Sequence, residues 1–123
     1  MAKITGLGGI FHVVKDPAAT RAWYRKYLGL EGEYGPKLKW SEETGDQPYS
    51  LVGKFTSNEY FQPSDKEFMI NLRVDNLDEF VSGLKAKGLE ILGESDEGYG
   101  KFAWIMDCDG VKIELWQQLD PPE

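Results

Sequence analysis

One sequence grammar occurs twice in this chain, and that repetition limits the fold more than any other feature. Residues 9–14 (GIFHVV) read as a strand, and Asp16-Pro17 then opens a helix with Asp as N-cap and Pro at the first helical position. Trp23, Tyr24, Tyr27 and Leu28 fall at helical spacing, and Gly29 closes the helix. In the second half, residues 68–74 (FMINLRV) alternate as a strand, Asn76 can cap the next helix, and Leu77, Phe80, Val81 and Leu84 form its apolar stripe. Each helix is followed by Gly-Leu-Glu, at Gly29-Leu30-Glu31 and Gly88-Leu89-Glu90. Three strand-like stretches follow in each half, at about 31–34, 37–42 and 48–55, then at about 90–94, 101–107 and 111–117. The spacing implies a duplicated βαβββ unit. The expected fold is α+β, a cup-shaped mixed sheet backed by two main helices. Unit one spans about 4–55, a linker 56–67 and unit two about 68–117, within one domain covering 1–123, and residues 120–123 read as a frayed tail.

Composition narrows the partners. The chain has 123 residues, enough for one core, and 14 Lys+Arg against 21 Asp+Glu set its net charge at −7. That field disfavours phosphate backbones and anionic lipid, so neither nucleic acid nor a membrane is an expected partner. No apolar run approaches a spanning length, and the opening residues lack a signal-peptide core. A single cysteine fits a reducing cytoplasm. One histidine and one cysteine leave little for a transition-metal site, whereas aromatic residues make up 13% of the chain and favour stacking contacts.

The opening Asp16, Pro17, Trp23, Tyr24, Leu28 and Gly29, with the closing Asp107, Asp109, Gly110, Ile113, Glu114 and Leu115, resembles the vicinal oxygen chelate superfamily. That superfamily includes glyoxalase I, extradiol dioxygenases, fosfomycin-resistance enzymes and bleomycin-resistance proteins. The resemblance covers essentially the whole chain and implies the duplicated fold and a homodimer, its cups either separate or completed across the interface. In the enzymes of the superfamily a divalent metal held by His and Glu side chains chelates two substrate oxygens.

Carried over position by position, that metal site is mostly lost here. The first-strand ligand positions fall near Gly9 and Met69, and residues 48–55 contain no His, Asp or Glu. Only Glu114 matches, and a catalytic metal needs about three protein ligands. His12 is the other candidate. Its strand parity groups it with Ile10 and Val14 on the helix side, although a one-residue bulge in this glycine-rich strand would reverse its face.

Other side chains suit a ligand without a metal. Parity turns Phe11 inward, places Asn71 and Arg73 on the open face of their strand, and groups Lys112, Glu114 and Trp116 on one face of theirs. Arg73 near Glu114 would form either a buried ion pair or an anchor for an anionic ligand. Trp40, Trp104 and Trp116 are candidate walls, as core packing or as ligand contacts. Tyr60 and Phe61 are adjacent aromatics in a polar linker and should pack on something, either a rim of the cup or a second subunit. Asp107-Cys108-Asp109-Gly110 is a turn and not a calcium loop, since Trp116 stands where the bidentate Glu would be. Cys108, between two carboxylates, is a poor nucleophile.

The leading expectation is a metal-independent small-molecule binding protein with no cofactor, its ligand held by Phe11, Asn71, Arg73, Trp104, Glu114, Trp116 and His12. The acidic surface would weakly steer a cationic or neutral aromatic ligand. Two alternatives stand beside it. One is a metal-dependent lyase, isomerase or dioxygenase using His12 and Glu114. The other is a non-catalytic interaction domain whose cup is filled by its own side chains.

Overall fold

The structure, a computed structural model, describes residues 1–3, 5 and 7–119. The expected tail at 120–123 and the opening of unit one at residue 4 lie outside the described residues. Helix α1 (Pro17–Leu28) starts where the sequence places it: the Asp16 side chain accepts from the Ala19 amide at 3.2 Å, and Pro17 fills a position with no amide to lose. It ends at Gly29, whose φ of 69° is the left-handed cap that glycine adopts without steric cost.

The second half forms a complete βαβββ arrangement. Strand β1 (Ile70–Arg73) leads into helix α2 (Leu77–Ala86), capped by Asn76, and then to β2 (Gly93–Asp96), β3 (Gly100–Met106) and β4 (Lys112–Gln118). The strand order is β1-β4-β3-β2, with β1 parallel to β4 and the other pairs antiparallel. Alternation in these strands sends Ala103, Ile105, Ile113 and Leu115 to one face, each at most 1% exposed. Leu77, Val81 and Leu84 of α2 and Tyr24 and Leu28 of α1 pack on that face and complete the core. Truncating a residue such as Leu84 to Ala would cost about 2–5 kcal/mol through lost transfer energy and the cavity left behind.

Helix α1 is also tied to the turn between β3 and β4. Tyr24 donates its hydroxyl to Asp107 Oδ2 at 2.6 Å, and Thr20 donates to Asp109 Oδ2 at 2.6 Å. The other Asp107 oxygen, Oδ1, accepts the amides of Asp109 and Val111 at 2.8 and 2.9 Å. Gly110, at φ 77°, completes the turn. This motif therefore organises a turn and holds a helix, as its lack of a calcium-type Glu implies.

The α+β class holds: two helices lie with a four-stranded, mixed, open sheet. The first half departs from the expected pattern. Among the described residues no strand forms at 9–14, 31–34, 37–42 or 48–55, and Trp40–Glu42 is a short 3₁₀ turn instead. Alternation makes a segment suitable for a sheet, but a strand exists only when a neighbouring backbone completes its ladder. These segments have no such neighbour here, and Phe11 and Val13 stand 97% and 96% exposed. In the second half the ladders close within the sequence neighbourhood, through the β2–β3 and β3–β4 hairpins. The β2 expectation at 90–94 shifts to Gly93–Asp96 because its register is set by pairing Gly93 with Trp104.

Candidate functional site

Helices cover one face of the sheet, so its other face carries whatever chemistry the strands present. The register arranges that face in rows across the strands. Asn71, Glu114, Trp104 and Gly93 form one row, and Arg73, Trp116, Phe102 and Ser95 form the next. A Cβ at Gly93 would meet the Trp104 ring at 3.5 Å, an ordinary van der Waals contact.

Glu114 is the centre of the first row and is buried. Asn71 Nδ2 donates to its Oε1 at 2.8 Å, Trp104 Nε1 donates to its Oε2 at 2.8 Å, and the Tyr60 hydroxyl donates to the same Oε2. Three neutral donors thus satisfy a carboxylate that burial would otherwise penalise. Tyr60 comes from the 3₁₀ turn Glu59–Phe61 in the linker, which folds over the sheet. Burial pushes the Tyr60 phenol above its ordinary range, and its hydrogen bond to Glu114 pushes it further in the same direction. Lys112 lies over the Tyr60 and Trp104 rings, 5.1 and 5.6 Å from their centroids, and donates to the Tyr60 carbonyl at 2.7 Å. Its own pKa is lowered by burial, with Glu114 opposing that shift.

The second row is organised around Arg73. Its guanidinium lies 4.8 Å from the Trp116 ring centroid, and Nε donates to Glu43 Oε1 at 2.6 Å. That hydrogen bond holds the Glu43 carboxyl below the usual carboxylate range. Tyr49 meets the Trp116 ring edge-on at 5.3 Å. A cleft of about 420 Å³ opens beside this row, at the β1 end of the sheet, and reaches Arg73 and Glu43 but not Glu114.

The sequence-expected residues separate into groups. Asn71, Trp104 and Glu114 meet in the first row, and Arg73 and Trp116 stack in the second. Arg73 does not approach Glu114 as an ion pair. The register sets it opposite Trp116, one row away, and Glu43 from the 41–47 loop takes its charge. Phe11 points to solvent and not inward, because its segment has no strand partner to fix a face. His12 is also exposed, its ring edge-on to Phe68 at 5.4 Å, so it is not packed beside α1. Trp40 is 70% exposed on its 3₁₀ turn. Sequence reasoning missed Tyr60 and Glu43 as partners of these rows; the paired aromatics Tyr60-Phe61 were the only available signal for the former.

The donor set does not suit the metal that the resemblance implies. Both Glu114 oxygens already accept hydrogen bonds, and an indole N–H has no lone pair to offer a cation. No group of three or more His, Cys, Asp or Glu side chains placed to hold a metal ion occurs among the described residues.

The model of the Glyoxalase/Bleomycin resistance protein/Dioxygenase superfamily matches residues 6–115. The chain belongs to that superfamily. Among solved structures it is similar to TnmS3, an antibiotic binding protein from Streptomyces, at 24% identity and TM-score 0.53, covering 89% of this chain and 98% of that one. It is also similar to a virulence protein from Salmonella typhimurium, at 17% identity and TM-score 0.52, over 86% and 90% of the two chains. A glyoxalase/bleomycin resistance protein from Catenulispora acidiphila matches at 24% identity and TM-score 0.50, over 86% and 92%. No curated protein matches the sequence. These likenesses establish the fold, and the superfamily spans enzymes and binding proteins, so function has to come from the site.

Cys108 is a free, exposed thiol in the β3–β4 turn. Partial burial raises its thiol pKa, with Asp109 and Asp107 adding to the effect. No described helix is long and apolar enough to cross a membrane.

Proposed function

We propose that this superfamily member is a metal-independent protein that binds an aromatic small molecule on the open face of its sheet. The observation that carries the reading is the first row. A buried Glu114 is held by Asn71, Trp104 and Tyr60, with Lys112 already resting over two of the rings. The row presents π surfaces beside fixed polar groups, the combination that orients a small ligand. The antibiotic-binding name of one structural relative fits this reading. Trp104, Trp116 and Phe102 act as walls, and Asn71, Arg73 and Glu114 as polar anchors. Phe11 and His12 join them only if their segment is drawn over the face.

We further infer a homodimer working in the cytoplasm. Its support is the apolar segment around Ile10, Phe11 and Val13, exposed at 51%, 97% and 96%, together with the outer edges of β1 and β2 at the two ends of the sheet. Exposed apolar segments and open strand edges are what a second copy would cover. Residues 4–55 then form the first unit and 68–117 the second within one domain, the first unit's strands completing their ladders in the dimer. Light scattering on the purified protein tests this, and a monomer at micromolar concentration rejects it.

Metal analysis after incubation with nickel, zinc, manganese and ferrous iron, followed by desalting, tests the central reading. The expected result is no retained metal and a thermal shift with aromatic ligands. Near-stoichiometric metal that disappears in both His12→Ala and Glu114→Ala would overturn it in favour of a chelate enzyme.

A further inference from the structure

Arg73, on the open face, is paired with a carboxylate that comes from an irregular loop and not from the sheet. Glu43 reaches it from residues 41–47, where the only regular feature is the end of a 3₁₀ turn. The loop holds its own carboxylate in place through the Gly45 amide, which donates to Glu43 Oε2 at 2.7 Å. Gly45 lies so close to the guanidinium that a Cβ there would sit 2.7 Å from Arg73 Nη2. Arg73 Nη1 is buried with no hydrogen-bond partner among the described residues. The guanidinium therefore has one face on Trp116 and its Nε–H spent on Glu43, with Nη1 buried against the protein.

Beside this pair the 420 Å³ cleft is lined by apolar side chains such as Leu28, Leu38 and Phe80 and by polar ones, among them the carboxylates of Glu42 and Asp75. The arrangement is a cleft of mixed lining with Arg73 as its one cationic residue, and that cation is occupied by a carboxylate that belongs to the protein. We propose that this cleft binds a small organic carboxylate with an apolar, ring-sized body, and that Glu43 is a built-in placeholder which the ligand's carboxylate replaces on Arg73. The proposal rests on the small-molecule reading above and adds the charge class of the ligand and the element that gates its entry.

The exchange is physically inexpensive. One carboxylate replaces another on the same guanidinium, so the charge is never left unpaired, and the incoming group can take Nε–H and the neighbouring Nη2 as a bidentate pair. The displaced Glu43 moves to water, where a carboxylate is well solvated. The net charge of −7 disfavours an anion at long range, but salt screens that field beyond about 8–10 Å, and the contacting guanidinium sets the preference.

Calorimetric titration with three probes of the same shape tests this: 2-naphthoate, 2-naphthamide and 2-naphthylmethylammonium. The expected result is that naphthoate binds about tenfold more tightly than the neutral amide. Glu43→Gln removes the competitor and tightens naphthoate several-fold while leaving the amide unchanged. Arg73→Gln abolishes the preference, and Arg73→Lys, which keeps the charge but loses the fork, reduces it. Far-UV circular dichroism verifies that each variant is folded. Equal affinity for naphthoate and the amide, or a Glu43→Gln variant that binds naphthoate no better than the parent, would overturn the placeholder while leaving aromatic binding standing. Binding of none of the three probes, in the parent or in Glu43→Gln, would overturn both this inference and the small-molecule reading.

Discussion

Tyr24, in the helix of the first half, donates its hydroxyl to Asp107 in the β3–β4 turn of the second half, at 2.6 Å and out of solvent. The residues on which the family resemblance was read at the two ends of the chain are thus in part a single structural joint. Asp107 cannot be spared for chemistry, because its other oxygen holds the turn's amides. The joint also explains why the resemblance specifies fold so much better than activity.

Breaking that joint from the tyrosine side leaves a buried carboxylate oxygen without its donor. Tyr24→Phe is expected to destabilise the protein by about 1–3 kcal/mol. Urea denaturation would show a lower midpoint at unchanged slope, and a midpoint equal to the parent's would contradict the account.

Glu114 separates structural from ligand roles. Glu114→Gln retains the shape but turns an NH₂ toward at least one of the donors that now point at it, so a loss of about 1–3 kcal/mol is expected. Tyr60→Phe removes only one of the three donors and should cost less. Chemical denaturation of both variants ranks them, and the reverse order would mean that Tyr60 holds the linker by its own packing and not through Glu114.

Two glycines make opposite predictions. A Cβ at Gly100 would lie 2.9 Å from Trp116 Nε1, with Phe102 and the Gln117 carbonyl at 3.3 Å, so Gly100→Ala must displace the indole. It is expected to cost about 1–3 kcal/mol and to change the tryptophan emission. Gly83, inside α2, has nothing within 4 Å of its Cβ position. Gly83→Ala should stabilise by about 0.5–1 kcal/mol through helix propensity. Thermal melts of the pair decide it.

The alkaline limb of stability has a defined sign. Burial, with Asp107 adding, raises the Tyr24 phenol, and burial, with Glu114 adding, raises that of Tyr60, both from an ordinary value of 10.0. Above about pH 10 the unfolded chain gives up these protons while the folded chain keeps them, so the folded state binds more protons and stability falls as pH rises. Below that range the contribution is fully present. Of the six tyrosines, buried Tyr24 should ionise only on unfolding and the more exposed Tyr60 later than an ordinary phenol, which tyrosinate absorbance followed beside circular dichroism would reveal. Ionisation of all six within the folded state would refute it.

How much was legible in the sequence varies along the chain. Helix α1 matches its expected span because both ends are local signals, Asp16-Pro17 and Gly29. Strands β3 and β4 match to within about a residue because a short turn joins them, so register and face follow from alternation alone. Alternation likewise puts Asn71 and Arg73 on one face of their strand and groups Glu114 with Lys112 and Trp116 on one face of theirs.

What only the tertiary structure decided are the contacts between segments distant in sequence. Alternation places Arg73 and Glu114 on one face, but which row each occupies depends on how β1 registers against β4 across the intervening helix and strands. Nothing local distinguishes Glu43 from the other carboxylates, and its partnership with Arg73 exists because an irregular loop folds back over the sheet. Likewise, the parity of residues 9–14 assigned faces to Phe11 and His12 that have no meaning until a second backbone pairs with them. Periodicity and capping are properties of a few neighbouring residues and are written into the chain. Pairing and register are properties of two segments at once, and chain folding alone brings those together.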